Sequence, residues 1–193
     1  YDGDKGPNTG GMGAYSPLPF VSEEERRWAL DHVMRPTAKA MVEEGCPFTG
    51  VLYGGLMKTP QGIKVIEFNA RFGDPETEVV LPRLKSDIVE VFDALAKGEV
   101  PACAKEGELE WHDFATLGIV LASKGYPEAY EKGYEITIPT DVADSVYVAG
   151  AALKDGKLVN NGGRVLGVTS VADTLQDAIA ASYAKVDVIH FDN

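Results

Sequence analysis

The chain of 193 residues is poor in cysteine and histidine. Its two cysteines, Cys46 and Cys103, fit no zinc-ligand spacing and no disulfide framework. Its three histidines are scattered along the sequence, so a metal centre built on histidine is not expected. This cysteine usage is typical of a reducing compartment, and we expect a cytoplasmic protein.

Basic residues are also scarce, since 18 Lys and Arg stand against 30 Asp and Glu and give a formal net charge of −12. A phosphate backbone requires a basic surface, so this charge argues against nucleic acid as the main partner. A small phosphorylated ligand is compatible with the composition because it needs only a few local cations.

Long hydrophobic runs are missing as well. No apolar stretch approaches the ~18 residues that span a bilayer, and no signal-peptide pattern is visible, so no membrane partner is expected. Hydrophobic content of 45% and charged content of 25% are ordinary for a globular protein that buries a core. The chain opens at Tyr1 inside a glycine-rich loop and closes on a strand-like segment, residues 188–191, which favours a fragment of a longer protein.

The most informative segment is residues 65–76, Val-Ile-Glu-Phe-Asn-Ala-Arg-Phe-Gly-Asp-Pro-Glu. Its apolar residues predict a β-strand from which Glu67, Asn69 and Arg71 project on one face. A carboxylate and an amide oxygen are ligands that suit magnesium, and an arginine beside them suits a phosphate or carboxylate. This row therefore fits a magnesium-nucleotide. The alternative is an edge strand whose polar face is simply solvated.

The first hundred residues predict an α+β arrangement. Residues 2–17 predict an irregular loop, and Ser22 with Glu25 predicts a capping box at the start of a helix that Pro36 kinks or divides and Gly45 ends. Segments 48–59 and 63–69 predict an antiparallel hairpin. Further helices are expected from Asp74, as N-cap, to a break at Pro82, and from Asp87 to Gly98.

Beyond residue 100 the pattern is that of a small mixed β/α domain. We expect strands at 115–122, 134–138, 146–153 and 164–171, and Asp155-Gly156 predicts a hairpin turn. A helix over residues 174–186 is expected to turn Leu175, Ile179, Tyr183 and Val186 to the core. Clustered Gly, Pro and charges near residues 98–108 place the boundary between domains 1–100 and 101–193.

Three motifs resemble the phosphoribosylamine–glycine ligase (glycinamide ribonucleotide synthetase) family. They are the loop Asp-Gly-Asp-Lys-Gly-Pro-Asn-Thr-Gly-Gly-Met-Gly-Ala-Tyr-Ser-Pro at residues 2–17, the segment 65–78, and Gly-Gly-Arg-Val-Leu-Gly-Val-Thr at residues 162–169. Glu-x-Asn-x-Arg alone would indicate only the wider ATP-grasp superfamily. The loop and the Gly-Asp-Pro-Glu extension narrow the resemblance to this ligase.

The resemblance implies the carboxy-terminal half of such an enzyme. The fold would be the C-terminal part of an ATP-grasp catalytic unit, an antiparallel sheet with helices, followed by a small mixed β/α C-terminal domain. The reaction would join glycine to 5-phosphoribosylamine through glycyl phosphate, with release of ADP and phosphate, in purine biosynthesis. ATP would be the co-substrate and Mg²⁺ or Mn²⁺ the metal. The amino-terminal half would be missing, so we expect the fragment alone to be inactive.

The resemblance also implies roles within the segment 65–76. Glu67 and Asn69 match the metal ligands, and Arg71 matches the arginine that meets the transferred phosphoryl group. Asp74 would orient the ammonium of glycine or the amine of the ribosylamine. The alternatives are an ion pair of Arg71 with Asp74 or Glu76, and simple N-capping by Asp74.

The glycine-rich loop is expected to bind substrate, with backbone N–H groups directed at a carboxylate or phosphate. Its candidate residues are Lys5, Gly6, Pro7, Asn8, Thr9, Gly10 and Gly11. Asp4 is a weaker candidate for contact with nucleotide phosphate or metal. Leu56 is a candidate for packing against adenine, and a place in the core is its alternative. For the loop, the alternative is an ordinary surface loop without a ligand.

One segment departs from the family pattern. Val148 and Ala151 stand where relatives commonly have His and Thr, which puts in doubt the share of the C-terminal domain in the site. Two other functions stay open at this point. They are another ATP-grasp ligase or carboxylase, and a non-catalytic nucleotide-binding module.

Overall fold

The computed structural model of the protein describes residue 3, residues 5–105 and residues 107–191. In chain order the elements are β1 (Gly13–Ser16), α1 (Glu23–Ala29), a π-helical turn (Leu30–Met34), α2 (Arg35–Glu43), β2 (Tyr53–Thr59), β3 (Gly62–Asn69), α3 (Glu76–Val80), a 3-10 turn (Leu81–Arg83), α4 (Ile88–Ala96), β4 (Ala115–Ala122), β5 (Ile136–Thr137), a 3-10 turn (Ala143–Ser145), β6 (Val146–Val148), β7 (Ala151–Lys154), β8 (Lys157–Asn160), β9 (Arg164–Ala172), α5 (Leu175–Val186) and β10 (His190–Phe191). Within this part of the chain, no helix is both long and apolar enough to cross a membrane.

The described residues divide into two compact units. Unit 1 contains those of residues 1–17, 74–83 and 112–193, and unit 2 contains those of residues 18–73 and 84–111. Each unit therefore combines segments that are distant in the sequence. The predicted division into domains 1–100 and 101–193 is contiguous in sequence and stays a prediction.

Unit 1 is built on a four-stranded antiparallel sheet in the order β1–β4–β9–β6. Its central pair runs from Ala115 opposite Ala172 to Ala122 opposite Arg164. Strand β9 is buried over most of its length, and its apolar run is typical of a strand covered on both faces. The predicted strands at 115–122 and 164–171 are confirmed.

The core of unit 1 lies beside β9. Its buried members are Ile136, Val142, Val165, Leu166, Val168 and Ile189. Helix α5 begins after Thr174, whose side chain accepts a hydrogen bond from the Asp177 N–H, and it packs against β4 and β9. The predicted core face of this helix is wrong at two positions, because Ile179 and Tyr183 are 37% and 56% exposed.

Small residues explain this error in the helix face. Ala178 and Ser182 are fully buried in α5, and the Ser182 hydroxyl donates to the Leu117 carbonyl of β4 at 3.0 Å. A helix that turns small side chains toward a sheet can approach the strands closely. Counting large apolar residues therefore misplaced Ile179 and Tyr183, whereas Leu175 and Val186 are partly buried.

Two further expectations in unit 1 are corrected. Residues 13–16, expected to be irregular, form β1, and Gly13 allows the close approach because a Cβ there would lie 2.8 Å from the Gly118 carbonyl oxygen. The N-cap of α3 is Pro75, without a side-chain cap, rather than Asp74.

The predicted hairpin turn is confirmed, since Asp155 and Gly156 join β7 to β8 with φ of 52° and 79°.

Unit 2 begins with the helical segment α1–α2. Both bonds of the capping box predicted for Ser22 and Glu25 are present. Pro36 has no N–H to donate, and the helix widens into the π-helical turn just before it, where the Arg35 N–H donates to the Leu30 carbonyl. The π-helical turn divides the helix into α1 and α2, and at the end Gly45 takes φ of 75°, so the predicted division and stop are confirmed.

The second part of unit 2 is the β2–β3 hairpin with helix α4. The hairpin is antiparallel as predicted, although its first strand begins at Tyr53 instead of residue 48. Helix α4 begins after Asp87, whose side chain accepts from the Val89 N–H, and its buried residue is Val91. Phe92 of the same helix is 43% exposed.

Candidate functional site

The predicted metal ligands meet at the end of β3. Asn69 Nδ2 donates a hydrogen bond of 2.9 Å to Glu67 Oε1, so the expected placement of these two side chains on one face is confirmed. Just before Glu67 the pairing shifts from Gly55–Glu67 to Leu56–Val65, which makes Ile66 an extra residue in β3. Such a bulge adds local twist and redirects neighbouring side chains.

Arg71 does not continue this row along the strand. Strand β3 ends at Asn69, and Arg71 lies in the bend that follows, where its Nη1 donates to the Phe72 carbonyl at 2.8 Å. The period of two therefore holds for Glu67 and Asn69 and does not extend to Arg71, which lies outside the strand. Its guanidinium is exposed, and its role stays a prediction.

Leu56 lines an apolar cavity of about 420 Å³ within unit 2. A Cβ at Gly54 would lie 2.7 Å from Met34 Sδ, whereas one at Gly55 would lie 3.2 Å from Glu67 Cγ. Because side chains alternate along a strand, Leu56 shares the face of Gly54. This position fits packing against the helical segment, and adenine contact stays a prediction.

The β2–β3 hairpin offers few side-chain oxygen atoms that could coordinate a metal ion. Among the described residues, no three or more His, Cys, Asp and Glu are grouped so that they could hold an ion. Glu67 and Asn69 offer a carboxylate and an amide oxygen. Magnesium often takes one or two protein oxygens together with water and substrate phosphates, so this pair fits a magnesium ion carried with a nucleotide.

Three predicted residues of unit 1, Gly10, Gly11 and Asp74, lie beside Arg164 at the start of β9. Its Nη1 donates to the Gly11 carbonyl at 3.0 Å and to the Asp74 carbonyl at 2.9 Å. Its Nη1 and Nη2 also contact the two carboxylate oxygens of Asp74, each at 3.3 Å. The guanidinium therefore joins the glycine-rich loop to the residue before Pro75.

The substrate loop is exposed from Lys5 to Gly10, and Gly11 is partly buried. A Cβ at Gly10 would lie 2.9 Å from Arg164 Cζ, and one at Gly11 would lie 2.4 Å from Pro75 Cδ. A side chain at position 11 would therefore collide with the Pro75 ring, and one at position 10 would displace the Arg164 guanidinium. Asp4 lies outside the residues that the structure describes.

Glu78, near Arg164 and Asp74, has a partly buried carboxyl group whose pKa is raised. Its Oε2 is removed from solvent and has no hydrogen-bond partner in the structure, and a Cβ at Gly167 would lie 2.2 Å from it. Burial, and then the Asp74 carboxylate, raises the pKa of Glu78, while Arg164 opposes that shift.

Sequence reasoning gave no role to Arg164 or Glu78. Arg164 lies in the family motif at residues 162–169, but the spacing of residues in the sequence does not indicate its contacts with Gly11 and Asp74. Only the pairing of β9 with β4 places it there. Glu78 is the last residue of the motif at 65–78, but nothing in the sequence indicates that its carboxyl is buried without a hydrogen-bond partner.

Comparisons with known proteins match both parts of the chain. The phosphoribosylglycinamide synthetase ATP-grasp (A) domain matches residues 1–77, and the C domain of the same enzyme family matches residues 116–193. The chain belongs to the phosphoribosylglycinamide synthetase family. A phosphoribosylamine–glycine ligase from Halalkalibacterium halodurans is 53% identical over the whole chain.

Solved structures place this family member among the ATP-grasp enzymes. The crystal structure of phosphoribosylamine–glycine ligase from Thermotoga maritima matches 99% of the chain with a TM-score of 0.85 and 36% identity. The biotin carboxylase subunit of pyruvate carboxylase matches 94% of it with a TM-score of 0.65 and 17% identity, which indicates the fold alone. The predicted α+β ATP-grasp fold class is confirmed.

The chain is shorter than its relatives. It spans 44% of the Halalkalibacterium protein and 46% of the Thermotoga chain.

The two positions that depart from the family pattern are Val148 and Ala151. Val148 is 56% exposed at the end of β6, and Ala151 is the first residue of β7.

Proposed function

We propose that the full-length parent of this chain is an ATP-dependent carbon–nitrogen ligase that joins glycine to 5-phosphoribosylamine. The observation that carries the proposal is the Glu67–Asn69 pair on a hairpin that lies within the ATP-grasp domain match. The relatives from Halalkalibacterium and Thermotoga are phosphoribosylamine–glycine ligases, which supports the same substrates. Purine biosynthesis in the cytoplasm is the expected setting.

Glu67 and Asn69 would hold a magnesium or manganese ion that accompanies ATP. When bound, the ion offsets negative charge on the phosphates during phosphoryl transfer. The hydrogen bond between the two side chains supports this role, because it keeps both oxygen donors at one end of β3. Leu56 is proposed to contribute to the nucleotide pocket.

The remaining predicted residues would handle the substrates. Arg71 is proposed to contact the transferred phosphoryl group, and its planar guanidinium suits that geometry. Asp74 would orient the ammonium of glycine or the amine of the ribosylamine. The loop from Lys5 to Gly11 would direct backbone N–H groups at a substrate carboxylate or phosphate.

Acyl phosphate chemistry explains why such residues are needed. A glycine carboxylate oxygen bonds to the γ-phosphorus of ATP while the bond to the β-phosphate oxygen breaks, which yields glycyl phosphate and ADP. The amine of phosphoribosylamine then attacks the acyl carbon, loses a proton and displaces phosphate. Both steps require the substrates to be held close together and away from water.

The test is substrate-dependent release of ADP by the full-length parent. We expect ADP only when glycine and phosphoribosylamine are both present. Bicarbonate with a biotin acceptor is the comparison, because the carboxylase structures share the fold. ADP release that depends on bicarbonate, or ATP binding with no turnover under either condition, would refute the proposed ligase.

A further inference from the structure

We propose that Arg164 is a positioning residue for the glycine-rich loop. Its guanidinium holds Gly11 beside Asp74, so that the loop N–H groups are kept in place for the anionic group of a substrate, a carboxylate or a phosphate. This inference rests on the proposed function, because it assigns a support to the loop of that same site. Arg164 itself acts through the loop.

The contacts of Arg164 connect three distant parts of the sequence. From the start of β9 it reaches two backbone carbonyls, those of Gly11 and Asp74, at 3.0 and 2.9 Å. An arginine whose purpose was only an ion pair would not need these main-chain acceptors. Hydrogen bonds to carbonyl oxygens fix the path of a loop, and a guanidinium supplies several donors in one plane.

The loop is shaped to receive this side chain. A Cβ at Gly10 would lie 2.9 Å from Arg164 Cζ and 3.1 Å from its Nε. No larger residue fits at position 10 unless the guanidinium moves. A side chain at position 10 would therefore disturb the contact between the loop and Arg164.

Burial also separates Arg164 from an ordinary surface ion pair. Its side chain is 25% exposed, whereas that of Asp74 is 55% exposed. The Asp74 carboxylate thus stays open to a ligand while the cation behind it is largely covered. The Glu78 carboxyl is also close enough to Arg164 for its pKa to respond.

Arg83 provides a matched control in the same unit. Its guanidinium makes three hydrogen bonds, against four for Arg164, to the Phe114 carbonyl, the Ser16 hydroxyl and the His112 carbonyl, at 2.9, 2.6 and 3.0 Å. None of these partners belongs to the loop of residues 5–11. Replacing Arg83 therefore removes a comparable set of contacts without freeing that loop.

The first measurement is hydrogen exchange in the full-length parent, compared between Arg164→Gln and Arg83→Gln. For Arg164→Gln we expect amides of residues 6–11 to exchange about tenfold faster. For Arg83→Gln the change should fall on residues 14–17 and 112–115 instead. Unchanged exchange of the loop in Arg164→Gln would overturn the inference, whether or not the parent proves to be a ligase.

The second measurement is steady-state kinetics of the full-length parent carrying Arg164→Lys or Arg83→Lys. In Arg164→Lys we expect KM for one anionic substrate to rise about tenfold or more, while KM for ATP stays within about twofold. A rise for glycine identifies the loop ligand as a carboxylate, and a rise for phosphoribosylamine identifies it as a phosphate. Arg83→Lys should leave all three KM values within about twofold.

Gly10→Ala tests the same contact from the side of the loop and covers the case in which an Arg164 variant does not fold. It should raise the same KM as Arg164→Lys. Equal KM changes in the Arg164 and Arg83 variants, or an equal rise for all three substrates, would mean a structural role and overturn the inference. An inactive wild-type parent would refute the proposed ligase, and the exchange measurement would still decide the role of Arg164.

Discussion

At the scale of single residues, Glu67 carries the most specific chemistry. Glu67→Gln in the full-length parent keeps the shape of the side chain but removes its charge, so a divalent ion is held less tightly. We expect phosphoryl transfer to slow by about 100-fold or more and the magnesium concentration for half-maximal rate to rise.

Single-turnover ADP formation over a magnesium titration checks this expectation. Glu90→Gln, an exposed carboxylate in the first turn of α4, is the control and should leave both values unchanged. A Glu67→Gln enzyme with wild-type rate and magnesium dependence would remove Glu67 from the metal site.

Glu78 leads to a prediction about pH. Its pKa is raised in the folded protein, chiefly by burial and then by Asp74, so the folded state holds this proton more tightly than the unfolded state. The stabilisation is therefore complete below the ordinary pKa of 4.5 and is lost as the pH rises through the raised folded-state value. Glu78→Gln, which is always neutral, should be more stable than wild type near neutral pH.

Urea unfolding of the 193-residue chain over a pH series checks the sign. The stability difference between Glu78→Gln and wild type should shrink steadily as the pH is lowered toward 4.5. A difference that is constant with pH, or one that grows on acidification, would contradict the prediction.

At the scale of elements, the capping box of α1 is the clearest local determinant. Ser22 Oγ accepts from the Glu25 N–H at 3.2 Å, and the Ser22 N–H donates to the Glu25 carboxylate at 2.9 Å. Ser22→Ala removes the first of these bonds and should lower the free energy of unfolding by about 1 kcal/mol. Ser22→Thr retains a cap and should cost clearly less in the same urea experiment. Equal stability of the Ala and Thr variants would mean that the cap contributes nothing.

Elements that depend on neighbours in the sequence were predictable. The Ser22 cap, the Gly45 stop and the Asp155-Gly156 turn each follow from interactions spanning a few residues. The Glu67–Asn69 pair belongs to the same group, because the period of a strand decides which side chains share a face.

Features that depend on tertiary packing were not predictable. The bend after Asn69 removes Arg71 from the strand, and the buried face of α5 is set by the fit of Ala178 and Ser182 to the sheet. Asp74 fails to cap α3 and contacts Arg164, 90 residues away in sequence. Neither local propensity nor residue spacing encodes a contact over that distance.

At the scale of the whole molecule, the chain spans less than half the length of its relatives, and we expect the proposed activity to require residues outside this chain. We expect the isolated 193-residue chain to release no ADP in response to glycine and phosphoribosylamine. The same assay on the full-length parent is the positive control. Turnover by the isolated chain at the rate of the parent would contradict this expectation.

The central claim is that the parent activates the carboxylate of glycine with ATP. Glycine labelled with ¹⁸O in its carboxylate tests it directly, because the oxygen that bonds to phosphorus leaves with the phosphate when the amine attacks. The account predicts that each phosphate released by the full-length parent carries one labelled oxygen. Phosphate without label, formed at the same rate as the product, would contradict it.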